Sequence, residues 1–182
     1  MAMTAHRNRI KIGCIADDFT GGSDAASFLA KGGLPVILYN GVPEGDIPPS
    51  FRDGAVVIAL KSRTAPMDQV RAEFDRCLTW FEKMGTEQYY FKYCSTFDST
   101  PEGNIGPCTD FIMDRLGVRR TILCPGLPVN GRTVKNGELF VLGVPLHESP
   151  MKNHPLTPMW DSRIAELTIR KTYTDTDPGI HG

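Results

Sequence analysis

The chain has 182 residues, of which 41% are hydrophobic and 23% are charged, and its formal net charge at pH 7 is −1. This composition is typical of a globular protein, and a chain of this length can bury enough surface to form a core without disulfides or structural metals. The near-zero charge provides no basic excess with which to neutralise the phosphates of a nucleic acid, which argues against such binding, and no apolar run is long enough to predict a membrane span.

The five cysteines favour a cytoplasmic protein with reduced thiols. Their number is odd, and no two of them stand at a CxxC spacing or another metal-ligand spacing. The first eleven residues include basic side chains but no apolar stretch, which argues against a signal peptide. We therefore predict a cytoplasmic location, no disulfides and no metal site.

The first two thirds of the chain alternate between predicted strands and predicted helices. The order is a strand over 9–16, a helix over 23–31, strands over 34–39 and 55–60, a helix over 66–84, a strand over 89–93, a helix over 105–116 and a strand over 120–124. The wholly apolar run AVVIAL is typical of a strand that is buried on both faces. Strands that alternate with helices predict parallel pairing through crossover helices. We therefore predict an α/β fold with an open, mostly parallel sheet and helices on both faces.

The pattern changes after the last of these strands. Asn136–Gly137 lies between two β-like runs, which predicts a β-hairpin near residues 131–143. Asp161 or Ser162 is a suitable cap for a last short helix that ends at Leu167. We assign residues 1–168 to one α/β domain and residues 169–182, which have little apolar periodicity, to a disordered tail.

The first predicted strand ends at two adjacent acids, Asp17–Asp18, which are followed by Gly21–Gly22 and a helix. Ligands of open α/β sheets bind at the carboxyl ends of the strands, so this position is a candidate site. The two carboxylates can bind a metal, accept hydrogen bonds from sugar hydroxyls or satisfy loop amides. With Ser23 or Asp24 capping the helix, the glycine pair would leave backbone N–H groups free for an anionic oxygen.

Later strand ends add further polar groups. Arg63 follows the apolar strand. Its planar guanidinium either makes a bidentate contact with a ligand carboxylate or lies in a solvated loop. Lys92 lies among aromatic residues and is expected to reach an acidic partner, either Asp98 or Asp17. The turn after it carries Ser95, Thr96, Asp98, Ser99 and Thr100. The set suits a small acidic ligand with hydroxyl groups, such as a sugar acid, and the alternative is ordinary turn and capping chemistry.

Two further pairs of polar residues lie in the last third of the chain. Asn130 and Arg132 follow the last predicted strand and are polar groups that could turn inward. His147 and His154 are isolated in the sequence and are expected to be structural rather than catalytic.

Five segments of the chain resemble the amino-terminal half of the four-carbon acid sugar kinases, most closely the 3-oxo-tetronate kinase branch. The segments are IGCIADDFTGGSDAASFL, ALKSRTAP, YFKYCSTFDSTPEGNIGPCTD, PGLPVNGRTVKNGELFVLGVPLHES and HPLTPMWDS. The resemblance implies a transferase that uses ATP and Mg²⁺ to phosphorylate the terminal hydroxyl of a four-carbon sugar acid in carbohydrate catabolism. In that family the amino-terminal domain holds the sugar acid, and a carboxyl-terminal domain holds most of the ATP site.

The resemblance also implies a set of substrate-binding residues, because certain polar residues lie in matching motifs. They are Asp17, Asp18, Arg63, Lys92, Ser95, Thr96, Asp98, Asn104 and Arg132. Phosphoryl transfer needs an acceptor for the proton of the attacking hydroxyl. We expect Asp18 to be that base, with Asp98 as its rival.

The chain differs from the family in its extent. The match ends near Ser162, and no phosphate loop of the form GxxxxGK followed by Ser or Thr is present. We therefore expect a truncated or split kinase that lacks its nucleotide-binding half, with no ATP or Mg²⁺ bound to this chain alone. The expected partners are the sugar acid and a carboxyl-terminal half in cis or in trans, and a homodimer stays open.

There are two alternatives to the kinase interpretation. One is a non-catalytic module that binds sugar acids, or an inactive remnant of a kinase. The other, a Rossmann-like dehydrogenase, is disfavoured because the first loop lacks GxGxxG and carries two acids where a pyrophosphate needs backbone amides.

Overall fold

The structure is a computed structural model that describes residues 9–95, 97, 103–155 and 157–172. The chain divides into two compact units, residues 1–92 and residues 93–182, where the sequence indicated a single domain. Each unit is described by itself below.

The first unit is a parallel sheet with helices on both faces. Its elements are β1 (Ile10–Ala16), α1 (Phe19–Lys31), β2 (Val36–Asn40), β3 (Gly54–Ala59), α2 (Met67–Lys83) and β4 (Gln88–Lys92). The strand order is β2-β3-β1-β4, and every pair of neighbouring strands is parallel. The predicted α/β architecture is therefore confirmed.

The two central strands are covered from both sides. Every residue of β3 is buried, as its wholly apolar sequence predicts. On one face, Cys14 of β1 clusters with Ala25 of α1. On the other face, Gly13 lies directly against α2, because a Cβ at this position would come within 2.8 Å of the Phe81 ring. Alternate residues of β1 thus contact different helices.

Helix α1 begins at Phe19, four residues before the predicted start at Ser23. Its N-cap is Asp18, whose Oδ1 accepts a hydrogen bond of 2.6 Å from the Gly21 N–H. The prediction that Ser23 or Asp24 caps the helix is therefore wrong. A carboxylate that already lies at the end of β1 satisfies the Gly21 amide in the first turn, so the helix needs no later cap.

The second glycine of the pair allows α1 to lie close to the sheet. Gly22 is buried, and a Cβ on it would lie 2.7 Å from the Cβ of Ala59 on β3. Real Cβ atoms do not approach each other so closely, so a larger residue would push the helix away from the strand. Gly22 therefore has a packing role.

The second unit combines two helices with a small antiparallel sheet. Its elements are α3 (Ile105–Leu116), β5 (Arg132–Lys135), β6 (Glu138–Val141), β7 (Val144–Pro145), α4 (Ile164–Thr172) and three 3-10 helices at Pro128–Asn130, Leu146–Glu148 and Pro150–Asn153. The strand order is β5-β6-β7. The predicted hairpin is confirmed, because Asn136 and Gly137 turn the chain between β5 and β6 with φ values of 53° and 79°. Its core includes Phe97, Leu139 and Leu146.

Two boundaries in this unit differ from the predictions. Residues 120–124 form no strand, so that prediction is wrong. The Ile122 side chain is 89% exposed, and the Cys124 N–H donates to the Tyr93 hydroxyl at 2.8 Å instead of to a strand. An apolar run becomes a strand only where a partner covers it, which the run itself does not reveal. Helix α4 reaches Thr172 and so enters the predicted tail, whose residues 173–182 lie outside the described residues.

All five cysteines, each of them among the described residues, are free thiols, as predicted. Burial raises the pKa of both Cys14 and Cys77 to about 12. These two thiols therefore stay protonated and belong to the core. In the described part of the chain, no helix is both long and apolar enough to span a bilayer.

We predict that Gly22→Ala lowers the free energy of unfolding by roughly 1–3 kcal/mol, because the new methyl group meets Ala59 in a packed layer. Alanine has the higher helix propensity, so a loss of stability would have to come from this contact. Urea unfolding followed by circular dichroism measures the effect. The control is Gly45→Ala, since nothing lies within 4 Å of a Cβ there and its φ is not positive. Equal stability of the two variants would contradict the close packing of α1 on β3.

Candidate functional site

Four charged residues lie at the carboxyl edge of the parallel sheet. Asp17 and Asp18 follow β1, Arg63 lies in the loop after β3, and Lys92 is the last residue of β4. The backbone joins these segments: the Asp17 carbonyl accepts from the N–H groups of Ser62 and Arg63 at 3.0 and 3.3 Å, and the Asp17 N–H donates to the Lys92 carbonyl at 3.0 Å. Three strand ends are thus tied together at one residue.

The Arg63 side chain binds both carboxylates. Its Nε and Nη2 donate to the two carboxylate oxygens of Asp17, each at 3.0 Å. The same Nη2 lies 2.8 Å from Oδ2 of Asp18. We call Asp17, Arg63 and Asp18 the acid–arginine cluster. The planar guanidinium matches the geometry of a carboxylate, which makes the bidentate Asp17 contact both strong and directional.

The two acids of the cluster differ in exposure. The side chain of Asp17 is 4% exposed, and that of Asp18 is 31% exposed. Burial raises the pKa of Asp17, and the hydrogen bonds and charge of Arg63 oppose that rise. Asp17 is therefore an interior group that depends on Arg63 for its charge, whereas Asp18 faces outward.

Gly21 leaves space for two charged groups. A Cβ at this position would lie 2.6 Å from Oδ1 of Asp18 and 3.3 Å from Nζ of Lys92. The ammonium group thus approaches the acid–arginine cluster, and its charge also lowers the pKa of Asp17, less strongly than Arg63 does. Of the two partners predicted for Lys92, Asp17 is within its electrostatic reach, and Asp98 lies outside the described residues.

The glycine amides are not free for an anion, contrary to the prediction. The Gly21 N–H donates to the Asp18 side chain, and the Gly22 N–H donates to the Asp18 carbonyl at 3.0 Å. The Asp18 cap occupies these donors and adds a negative charge at the start of α1. This helix end therefore does not fit a phosphate group.

An aromatic residue beside the acid pair was not predicted as part of the site. Nζ of Lys61 lies 5.3 Å from the centroid of the Phe19 ring, and the Phe19 side chain is 39% exposed. Both residues adjoin the acid–arginine cluster in sequence. The signal in the sequence was an aromatic residue directly after two acids, but such a residue is equally typical of the start of an apolar helix face.

The remaining expected site residues belong to the second unit. Ser95 is partly buried, and Asn104 is 8% exposed at the residue before α3. Arg132 opens β5, and its Nη1 donates to the Asn130 carbonyl at 2.6 Å. Thr96 and Asp98 lie outside the described residues, so their roles stay predictions.

The two isolated histidines make local contacts, as expected for structural residues. Nδ1 of His147 lies 2.7 Å from the Ser162 hydroxyl, and Nδ1 of His154 accepts from the Thr157 N–H at 3.1 Å. Among the residues that the structure describes, no three His, Cys, Asp or Glu side chains lie together so that they could hold a metal ion.

Comparison with known proteins identifies the family. A family model described as "Sugar-binding N-terminal domain" matches residues 12–177. The chain therefore belongs to this family, and the resemblance seen in the sequence is confirmed.

Individual relatives agree with this result. The 3-oxo-tetronate kinase of Brucella melitensis is 54% identical over 158 residues, which cover 87% of this chain and 36% of the relative. A crystal structure from Salmonella typhimurium is 50% identical with a TM-score of 0.86, over 90% of this chain and 39% of that chain. A Bordetella bronchiseptica domain, described as a domain-swapped dimer with bound citrate, is 29% identical with a TM-score of 0.70, over 86% of this chain and 39% of that chain. The chain spans less than half the length of the curated relatives it matches.

We predict that Arg63→Ala destabilises the fold and that the loss grows with pH. At neutral pH we expect about 2–3 kcal/mol, somewhat less than for a fully buried pair because Arg63 is partly exposed. Burial already raises the folded pKa of Asp17 above its ordinary 3.8, so its ionisation costs stability as the pH rises from 3.8 through the folded pKa. Without Arg63 that pKa rises further and the loss becomes larger. Thermal unfolding of Arg63→Ala and of the wild type is measured between pH 3.5 and pH 8, and the difference in their stability is compared at each pH.

Two controls accompany this measurement. Lys83→Ala breaks the exposed Lys83–Asp46 ion pair and should cost less than about 1 kcal/mol. Adding Asp17→Asn to Arg63→Ala removes the buried charge and should abolish the extra pH dependence. A loss in Arg63→Ala that is the same at pH 4 and pH 8 would contradict a charged, buried Asp17.

Proposed function

We propose that this chain, a member of the sugar-binding N-terminal domain family, is the sugar-acid-binding part of an ATP-dependent kinase. The substrate would be a four-carbon sugar acid of the 3-oxo-tetronate type, phosphorylated on its terminal hydroxyl in carbohydrate catabolism. The observation that carries the proposal is Asp18, a partly exposed carboxylate fixed by Arg63 and Gly21 at the ligand-binding edge of the sheet. Identity of 54% to a 3-oxo-tetronate kinase over most of the chain supports the substrate class.

The chemistry assigned to Asp18 follows from its contacts. An ionised carboxylate accepts hydrogen bonds and donates none, so it suits the hydroxyl groups of a sugar. The hydroxyl that attacks in phosphoryl transfer must be aligned and must lose its proton. We propose Asp18 as the residue that aligns this hydroxyl and accepts the proton, and Asp98 as the alternative base.

Two observations on the described residues argue against a nucleotide or its metal at the start of α1. The start of α1 is occupied by the Asp18 carboxylate, which would repel a phosphate, and the described residues bring together no metal-binding group. We therefore assign no step that involves ATP or Mg²⁺ to these residues. In the proposed enzyme both are held by a carboxyl-terminal nucleotide-binding half, joined in cis or supplied in trans.

A second candidate is a non-catalytic module that binds sugar acids, or an inactive remnant. The poor fit of the described residues to a nucleotide favours this reading of the isolated chain. The citrate in the Bordetella domain is a hydroxy acid, and it supports an acidic, hydroxylated ligand in either case. The kinase part and the binding module differ only in whether bound ligand becomes phosphorylated, whereas an inactive remnant need not bind a ligand.

We predict that the chain binds a four-carbon sugar acid without ATP. Isothermal titration calorimetry with erythronate, threonate and 3-oxo-tetronate should show heat of binding at millimolar concentrations, and succinate, which has no hydroxyl, serves as the matched acid. A phosphorylation assay with ATP and Mg²⁺ should show turnover only when the carboxyl-terminal part of the Brucella relative is added or fused. Absence of heat with every sugar acid would reject the kinase part and the binding module and leave only the inactive remnant, and binding without turnover in the fused protein would leave the non-catalytic module.

In such a fused enzyme we expect Asp18→Asn to reduce kcat by roughly 10²-fold or more, because the amide cannot accept the proton. The fold should survive, since Asn caps a helix as well as Asp does. Lys83→Ala, on an exposed ion pair, is the control. A normal kcat with a raised KM would show that Asp18 only positions the sugar.

A further inference from the structure

The guanidinium of Arg63 is directed at protein carboxylates. Its Nε and Nη2 are bound to Asp17, and Nη2 is also bound to Asp18. With all three groups ionised, the acid–arginine cluster has one more negative than positive charge, and the nearby Lys92 only balances it. A ligand carboxylate would therefore find no excess of positive charge in the cluster and Lys92 taken together, and Lys61 beside Phe19 is the further cation at this edge. This geometry does not favour the hypothesis from the sequence that Arg63 makes a bidentate contact with the carboxylate of the substrate.

Asp17 is too deeply buried to meet a ligand. Its side chain is 4% exposed, and both of its oxygens accept hydrogen bonds from Arg63. Asp18, with a side chain that is 31% exposed, is the member of the acid pair that solvent reaches. The adjacent acids of the sequence thus have separate roles: one fixes Arg63, and the other faces the ligand.

The Asp18 carboxylate is held at both oxygens. Oδ1 accepts from the Gly21 N–H at 2.6 Å, and Oδ2 lies 2.8 Å from Arg63. These two contacts fix the rotation of the carboxylate, and each oxygen has a second lone pair that points away from its first donor. An acceptor that is pre-oriented in this way selects a ligand that offers hydrogen-bond donors.

Resting on the proposed function, we infer that Arg63 and Asp17 are positioning residues that orient Asp18, and that this sheet edge recognises the hydroxyl groups of the sugar acid instead of its carboxylate. Arg63 acts through Asp18 and does not touch the ligand. The carboxylate of the ligand is then bound by other residues. Loss of Arg63 should consequently weaken the recognition of hydroxyl groups and leave the recognition of the acid group intact.

The ligand test compares erythronate, which has three hydroxyl groups, with butanoate, which has the same carbon chain and acid group but no hydroxyl. Dissociation constants for both are measured by NMR titration on the wild type, Arg63→Gln and Asp18→Ala. In both variants we expect the affinity for erythronate relative to that for butanoate to fall about 10-fold or more, since a hydrogen bond to a charged group contributes about that factor, whereas the change in net charge acts on both anions alike. Weakening of both ligands by the same factor in Arg63→Gln would show that Arg63 binds the acid group and would overturn the inference.

A second readout needs no ligand. We expect the short hydrogen bond to Asp18 to give the Gly21 amide proton a downfield chemical shift, which Asp18→Ala should abolish. If Arg63 orients Asp18, Arg63→Gln should move this resonance part of the way toward the Asp18→Ala value, and Arg63→Lys, which keeps one charge, should move it less. Lys83→Ala should leave it unchanged. An unmoved Gly21 resonance in folded Arg63→Gln would overturn the positioning role.

The two readouts separate the inference from the proposed function. If the wild type binds no four-carbon acid, the proposed function fails, and the Gly21 resonance still decides whether Arg63 orients Asp18. If erythronate binds and the Gly21 resonance responds to Arg63, both stand. Should Arg63→Gln fail to fold, Arg63→Lys is measured in both experiments, with a smaller shift and a smaller loss of erythronate affinity expected.

Discussion

The candidate site depends on one buried ion pair. Asp17 lies inside the protein at the end of β1, where an isolated carboxylate would be costly, and Arg63 compensates for that cost by a bidentate contact. Because Arg63 comes from the loop after β3, the pair joins two neighbouring strand ends. The backbone of Asp17 adds contacts to Ser62 and Lys92. The result is a rigid edge on which Asp18 has a defined orientation.

The candidate site and the fold are connected through Asp18 and α1. The Asp18 side chain caps the helix through Gly21, and Gly22 one residue later brings the helix against Ala59. The two glycines, which suggested an anion-binding turn, therefore serve different purposes. Gly21 makes space for charged side chains, and Gly22 makes space for a strand.

Local patterns were sufficient to predict most of the fold. Apolar runs, helical periodicity and the Asn136–Gly137 turn are encoded in neighbouring residues, so the parallel sheet and the hairpin were found. The strand over 120–124 was predicted wrongly because its formation depends on a partner elsewhere in the chain. The start of α1 was missed because two acids at a strand end suggested a ligand site, and the capping role of Asp18 needs three-dimensional geometry. Whether Arg63 binds a ligand or Asp17 was likewise undecidable, since the two lie 46 residues apart in the sequence.

Asp18 both caps α1 and pairs with Arg63, and these two roles limit which residues can replace it in homologues. Asn and Ser cap a helix about as well as Asp, so helix stability alone does not require a carboxylate at this position. Only an acid, however, also pairs with Arg63 and could offer a charged acceptor to the proposed ligand. A homologue that no longer binds the ligand would still need a helix cap at this position but would no longer need a carboxylate. If Asp18 has its proposed role, the residue at position 18 should separate homologues that bind the same class of ligand from those that share only the fold.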